Sequence, residues 1–254
     1  MAQGQPTLAR YAAEPRERSQ RNFFSNVFLV MTGDLVLTAL VSLALSSNHA
    51  VMASLFHLVT YSEDGETKTT FEASGLYWCA AAFEILLVIV LSWSSLGKRL
   101  NFVDGLVLFG IYAALNGVTL APLLYAYTAV SIVRVFFIAA SMFCGMAIWG
   151  LTTKVNLTGL QSFFLMALIG LLAAILMNAA FGSVENEFYI SVAAVGLFAG
   201  LTAFDMQKLR AMHDESAGAS AGLVVFGALT LYLDFINLFI HLLRIFGVAR
   251  IGDD

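Results

Sequence analysis

Runs of about twenty apolar residues, separated by short polar stretches, recur along the whole chain, near 26–46, 76–94, 102–122, 128–151, 160–181, 188–210 and 222–246. A helix of that length crosses roughly 30 Å of hydrocarbon. In lipid every backbone polar group has to be satisfied within the segment, so seven such runs predict seven transmembrane helices. The connections are short except for 47–75, and short connections join neighbouring helices. The expected fold is therefore an all-α membrane protein. It comprises a polar N-terminal segment over 1–22 and one seven-helix transmembrane domain over 23–254.

Composition agrees: 59% of residues are hydrophobic and 12% charged, against roughly 25% charged in soluble domains. The first 22 residues carry Arg10, Glu14, Arg16, Glu17, Arg18 and Arg21 without an apolar core, so the first span is expected to act as its own insertion signal. Lys and Arg in the loops set orientation. With the N-terminus inside, that side holds Arg10, Arg16, Arg18, Arg21, Lys98, Arg99, Lys154, Lys208 and Arg210, and the other side Lys68, Arg244 and Arg250. An inside N-terminus follows, and seven full crossings then carry the C-terminus outside. A last segment that enters and turns back is the alternative, favoured only by Arg244 and Arg250.

Two aspartates set into apolar sequence carry the chemistry. One lies in Gly200-Leu-Thr-Ala-Phe-Asp-Met-Gln-Lys208, the other in Gly227-Ala-Leu-Thr-Leu-Tyr-Leu-Asp-Phe-Ile-Asn-Leu-Phe239. A carboxylate at membrane depth persists only if it is paired, wetted or protonated, and each option is a functional statement. Thr202, Asp205 and Lys208 share one side of their helix. Asp234, Asn237, His241 and Arg244 fall within an arc of about 80° on theirs, a polar stripe that should face the bundle interior. The two spans are antiparallel neighbours, which lets Asp205 and Asp234 approach. If helix six ends at His213 and helix seven starts at Gly222, their depths differ by roughly 6 Å. Two carboxyls meeting in a poorly solvated place share one proton and titrate as a pair, a pH sensor that needs no histidine. Fully ionised, they repel or recruit a cation such as Ca²⁺. A structural salt bridge to Arg134 or Lys208 is the bland alternative.

The other polar positions add less. Glu84 lies near mid-membrane and is a secondary candidate for a wet cavity. Asp34 can line a cavity or reach the interface. Arg134 comes early in its span and either snorkels outward or pairs with an acid. The 47–75 loop holds Glu63, Asp64, Glu66 and Glu72 against Lys68, which reads as a solvated loop before it reads as a cation-attracting vestibule. Cys79 and Cys144 lie in different spans without metal-site or disulfide spacing. Net charge −4 supplies no basic surface, so nucleic acid is not expected as a partner.

The run Leu231-Tyr-Leu-Asp-Phe-Ile-Asn-Leu-Phe239, followed by Leu242-Leu-Arg-Ile-Phe-Gly247 and preceded by Phe204-Asp-Met-Gln207, resembles the Bax inhibitor-1 family, the transmembrane Bax inhibitor motif proteins. The likeness extends through Lys154-Val-Asn-Leu-Thr-Gly-Leu160, Glu84 followed by Trp93, and Ala139-Ala-Ser-Met-Phe143. It implies a last helix enclosed by the other six and a pH-sensitive Ca²⁺ leak. Asp205 and Asp234 stand where the family has its paired aspartates, with Ca²⁺ as a transient visitor and no resident cofactor. In bacterial members an arginine just after the Trp93 position is expected to latch to the pair. Here Ser94 and Ser95 follow, and the nearest cations are Lys98 and Arg99, so Glu84, Lys98, Arg99, Arg134, Asn237 and His241 complete the set of candidate pore or latch residues.

The resemblance also offers an interaction protein, modulating a membrane protease or a cell-death pathway without transport. Enzymatic function is not expected. Intramembrane aspartyl proteases place two aspartates on consecutive spans, but carry Gly-x-Gly-Asp at the second and a later Pro-Ala-Leu, whereas this chain reads Leu231-Tyr-Leu-Asp234 and has no proline after Pro122. A bacterial inner membrane, with the N-terminus cytoplasmic, is the expected location.

Overall fold

The computed structural model describes residues 5–63, 66–96, 101–181, 184–216 and 221–250, with side chains described outside 5–16, 57–72, 94–96, 179–180 and 184–185. Helix α1 runs Gln5–Ser46, so it continues through the boundary expected at residue 22 and joins the polar segment to the first span. The long connection is not a simple loop. It forms a short helix α2 (His49–Leu55), capped by the Asn48 side chain on the amides of Ala50 and Val51, and an antiparallel hairpin of β1 (Phe56–Glu63) and β2 (Glu66–Ala73). The side chains of Glu63, Asp64, Glu66, Lys68 and Glu72 lie outside the described residues.

Then follow α3 (Gly75–Leu96), α4 (Phe102–Ala126), α5 (Ala129–Thr152), a 3-10 turn at Thr158–Leu160, α6 (Gln161–Phe181), α7 (Val184–Glu215) and α8 (Ala221–Phe246). Pro122 does not close α4, which continues to Ala126. Seven of the described helices, all but α2, are long and apolar enough to cross a membrane. Their outward faces are apolar, with Leu29, Trp78, Phe137, Leu176 and Phe181 more than half exposed, as expected where the solvent is hydrocarbon.

The arrangement is two groups of helices around one centre. On one side α4 packs between α1 and α3, and on the other α7 packs between α5 and α6, while α8 touches α1, α3, α4, α5 and α7. Over its membrane stretch α8 is 78% buried, against 6% for α6. Small residues allow the close approaches, as is usual in lipid. A Cβ at Gly117 would stand 2.7 Å from Val41 Cβ of α1, and one at Gly150 would stand 2.8 Å from Ala203 Cα of α7.

The last helix is one unbroken segment, long and apolar enough to cross a membrane, and it does not turn back on itself within Ala221–Phe246. After it, Val248 accepts from the Thr128 amide at 3.0 Å and Arg250 donates to Ala126 at 2.8 Å, so the described C-terminus joins the α4–α5 turn at the end of the bundle opposite the start of the first span.

Candidate functional site

Helix α7 ends at Glu215 and α8 begins at Ala221, which sets Asp205 ten residues before one end and Asp234 thirteen after the other. The offset expected from sequence is reduced to about three residues, or roughly 4.5 Å along the helix. The tight α7–α8 packing absorbs it. The carboxyls of Asp205 and Asp234 lie within hydrogen-bonding reach of each other. Both residues are more than nine-tenths buried, and Asp234 Oδ2 has no conventional donor. Around them stand Ala203, Phe204, Met206, Leu209 and Leu231, all buried, so little water is available to dissipate charge.

Neither candidate cation forms a close ion pair with the two carboxyls. Lys208 Nζ sits 5.8 Å from the ring centroids of both Phe204 and Phe226, held by cation–π attraction. Arg134 is exposed on α5. Among the described residues no Lys, Arg or His forms an ion pair within 4 Å of Asp205 or Asp234. Lys208 nevertheless acts on Asp205 through space from beyond that distance, so the salt-bridge alternative survives only as a long-range attraction and not as a contact. Lys98 and Arg99, the sequence candidates for a latch, and the side chains of Ser94 and Ser95 lie outside the described residues. No third His, Cys, Asp or Glu joins the pair among the described residues, so a divalent ion would find two carboxylates and no further acidic ligand.

The polar stripe on α8 does face α7, but as separate rungs. His241 Nδ1 lies 3.2 Å from Ser191 Oγ and its ring stacks on Phe198. Further along, Arg244 pairs with Glu187 at 3.3 Å. Asn237 is not a rung, because its amide donates to Leu233 O of its own helix at 2.8 Å. His241 and Asn237 are thus not brought to the carboxyl pair.

Glu84 belongs to a second polar group, on the other side of α8. It accepts from Thr119 Oγ1 at 2.7 Å and from Asn116 Nδ2 at 3.4 Å. Tyr232 donates to Asn116 Oδ1 at 2.9 Å and shares a 2.6 Å hydrogen bond with Thr38, which also reaches the Ala113 carbonyl. The chain Thr38, Tyr232, Asn116, Glu84 ties α1, α8, α4 and α3 together at mid-membrane. Thr38, Asn116 and Tyr232 are not among the candidates read from the sequence. The available signal was a hydroxyl in each of two otherwise apolar runs, which in lipid needs a partner.

Two further ties hold α7 in place. Gln207 accepts from the Leu157 amide at 2.7 Å and donates to Val155 O at 2.9 Å, so two separate motif pieces are in contact. At its end, buried His213 lies 3.2 Å from Ser19 Oγ, its ring 4.9 Å from that of Phe23, and Gln20 donates to Asp214 at 2.6 Å.

The sequence matches the family model described as "Inhibitor of apoptosis-promoting Bax1" over residues 20–250. The chain belongs to the Bax inhibitor-1 family. Relatives within reach of this family assignment include the inner membrane protein YbhL of Escherichia coli K12, 38% identical over 241 residues that cover 93% of this chain and 95% of that protein. A membrane protein of Streptococcus pyogenes serotype M3 is 42% identical over 173 residues, 68% of this chain and 74% of its own. A protein of Borreliella burgdorferi is 34% identical over 91% of this chain and 94% of its own. The Bax inhibitor-1 assignment covers all seven crossings, and this member is an integral membrane protein.

Proposed function

We propose that this Bax inhibitor-1 family member is a pH-responsive cation leak, with Ca²⁺ as the permeant ion and the Asp205–Asp234 pair as its gate. The observation that carries the reading is the meeting of two secluded carboxyls, from consecutive helices, with no Lys, Arg or His within 4 Å among the described residues. With one proton shared, the pair draws α7 and α8 together. With the proton gone, two like charges in a poorly solvated place either part or take in a cation. The pair serves as a switch and a passing ligand, not as an acid–base couple for hydrolysis. Placement in a bacterial inner membrane, N-terminus cytoplasmic, is supported by the excess of Lys and Arg at that end and by the description of YbhL.

The test is Ca²⁺ flux into proteoliposomes across about pH 5 to 8. Flux above that of empty vesicles, with a pH profile altered in Asp205→Asn and Asp234→Asn, supports the proposal. No flux at any pH leaves the interaction protein, acting on a membrane protease or stress pathway, and that reading predicts a wild-type phenotype from the doubly substituted chain.

A further inference from the structure

At the hairpin end of the bundle a cavity of about 770 Å³ opens between α2, the start of α3 and the ends of α4 and α8. Its size is that of sites that bury small organic ligands, roughly 300–1,000 Å³. It is separate from the carboxyl pair, which none of its lining residues includes. Most of its wall is hydrocarbon, with Met52 of α2 and Leu123 of α4 among the residues that form it.

The polar groups on the wall are mainly hydrogen-bond donors. Arg244 contributes a guanidinium with five N–H groups, of which one contact, to Glu187, is made among the described residues. His49, Tyr77 and Tyr125 add an imidazole and two phenols with no hydrogen-bond partner among the described residues, His49 standing edge-on to Tyr125 at 6.1 Å. Thr119 also lines the cavity, but its hydroxyl is committed to Glu84. Among the described residues no carboxylate lines it. A cation and uncommitted donors on the wall of an otherwise apolar chamber select an anion with an apolar body. The position adds to this, since the helices end here, at the depth where lipid head groups and aromatic belts meet.

We infer that this cavity binds a single-chain anionic amphiphile, its carboxylate or phosphate head at Arg244 and its acyl chain against Met52 and Leu123. The inference stands whether or not the chain conducts cations. The occupant is a membrane-derived acyl lipid and not a free anion, because the greater part of the wall has nothing to offer an ion.

The test is a titration of the detergent-solubilised full-length protein followed by native mass spectrometry. The probes are palmitate, 1-palmitoyl lysophosphatidic acid, the uncharged monopalmitoylglycerol and inorganic phosphate. Saturable binding of the two anionic amphiphiles is expected, at least roughly tenfold tighter than monopalmitoylglycerol and phosphate, the difference a charge-assisted hydrogen bond makes. Arg244→Gln should bring palmitate down to the level of the uncharged lipid. Because that substitution also frees Glu187, Ala53→Trp is the second variant: Ala53 is a small wall residue, and an indole there should intrude on the chamber and weaken all lipid binding while Arg244 remains. Palmitate bound equally by wild type and Ala53→Trp overturns the site. Equal binding of charged and uncharged lipids overturns the anionic head, and phosphate as tight as palmitate overturns the acyl chain.

Discussion

Replacing Asp234 by Asn is the substitution whose outcome the geometry determines most sharply. Asparagine keeps the shape of the side chain, and its amide N–H donates to Asp205, so the α7–α8 contact survives at every pH. Under the proposed gate, the wild-type contact depends on a shared proton. Two unit charges about 4 Å apart repel by about 4 kcal/mol at an effective dielectric near 20. At 1.36 kcal/mol per decade this is a shift of roughly a thousandfold in the balance between closed and separated helices. No described Lys, Arg or His lies within 4 Å to cancel the charge, and Lys208, engaged with Phe204 and Phe226, offsets part of it only from beyond that distance. Protons leave as pH rises, so the repulsion grows toward alkaline pH and Ca²⁺ flux in wild-type proteoliposomes should rise with it. In Asp234→Asn one charge at most remains, and the profile should be flat. A variant that reproduces the wild-type rise, at equal protein incorporation, refutes the switch.

Three further outcomes test the scaffold. Tyr232→Phe removes the hydroxyl between Thr38 and Asn116 and leaves both short of a partner, at a cost of about 1–3 kcal/mol that thermal unfolding in detergent should register. Gly150→Ala presses a methyl onto the Ala203 backbone, so a loss of about 1–3 kcal/mol is expected in the same assay, and an unchanged midpoint would mean that α5 and α7 can part freely. Gln207→Ala breaks two hydrogen bonds to the 154–160 turn. It should cost about 1–3 kcal/mol and speed hydrogen exchange at the Leu157 amide.

The seven crossings, their order and the enclosure of the last helix were legible along the chain, because a backbone in hydrocarbon has little choice but the helix and Leu231–Phe239 is distinctive enough to name a family. The two aspartates were legible as well, since an acid in an apolar run stands out whatever its partner. What the runs left open was who meets whom. Asn237 and His241 share a face with Asp234, yet one bonds its own helix and the other Ser191. Glu84 stood out as an acid, but its tie through Asn116 to Tyr232 and Thr38 joins residues on four helices, and periodicity carries no record of such contacts. The 47–75 stretch read as a loop because a short helix and a hairpin of two eight-residue strands leave no long apolar signal. One-dimensional pattern determines which residues avoid water, since that depends on each side chain and its helix alone. Which buried polar groups answer one another was decided only when five helices closed around α8, because a hydrogen bond depends on distances between segments that the chain order does not specify.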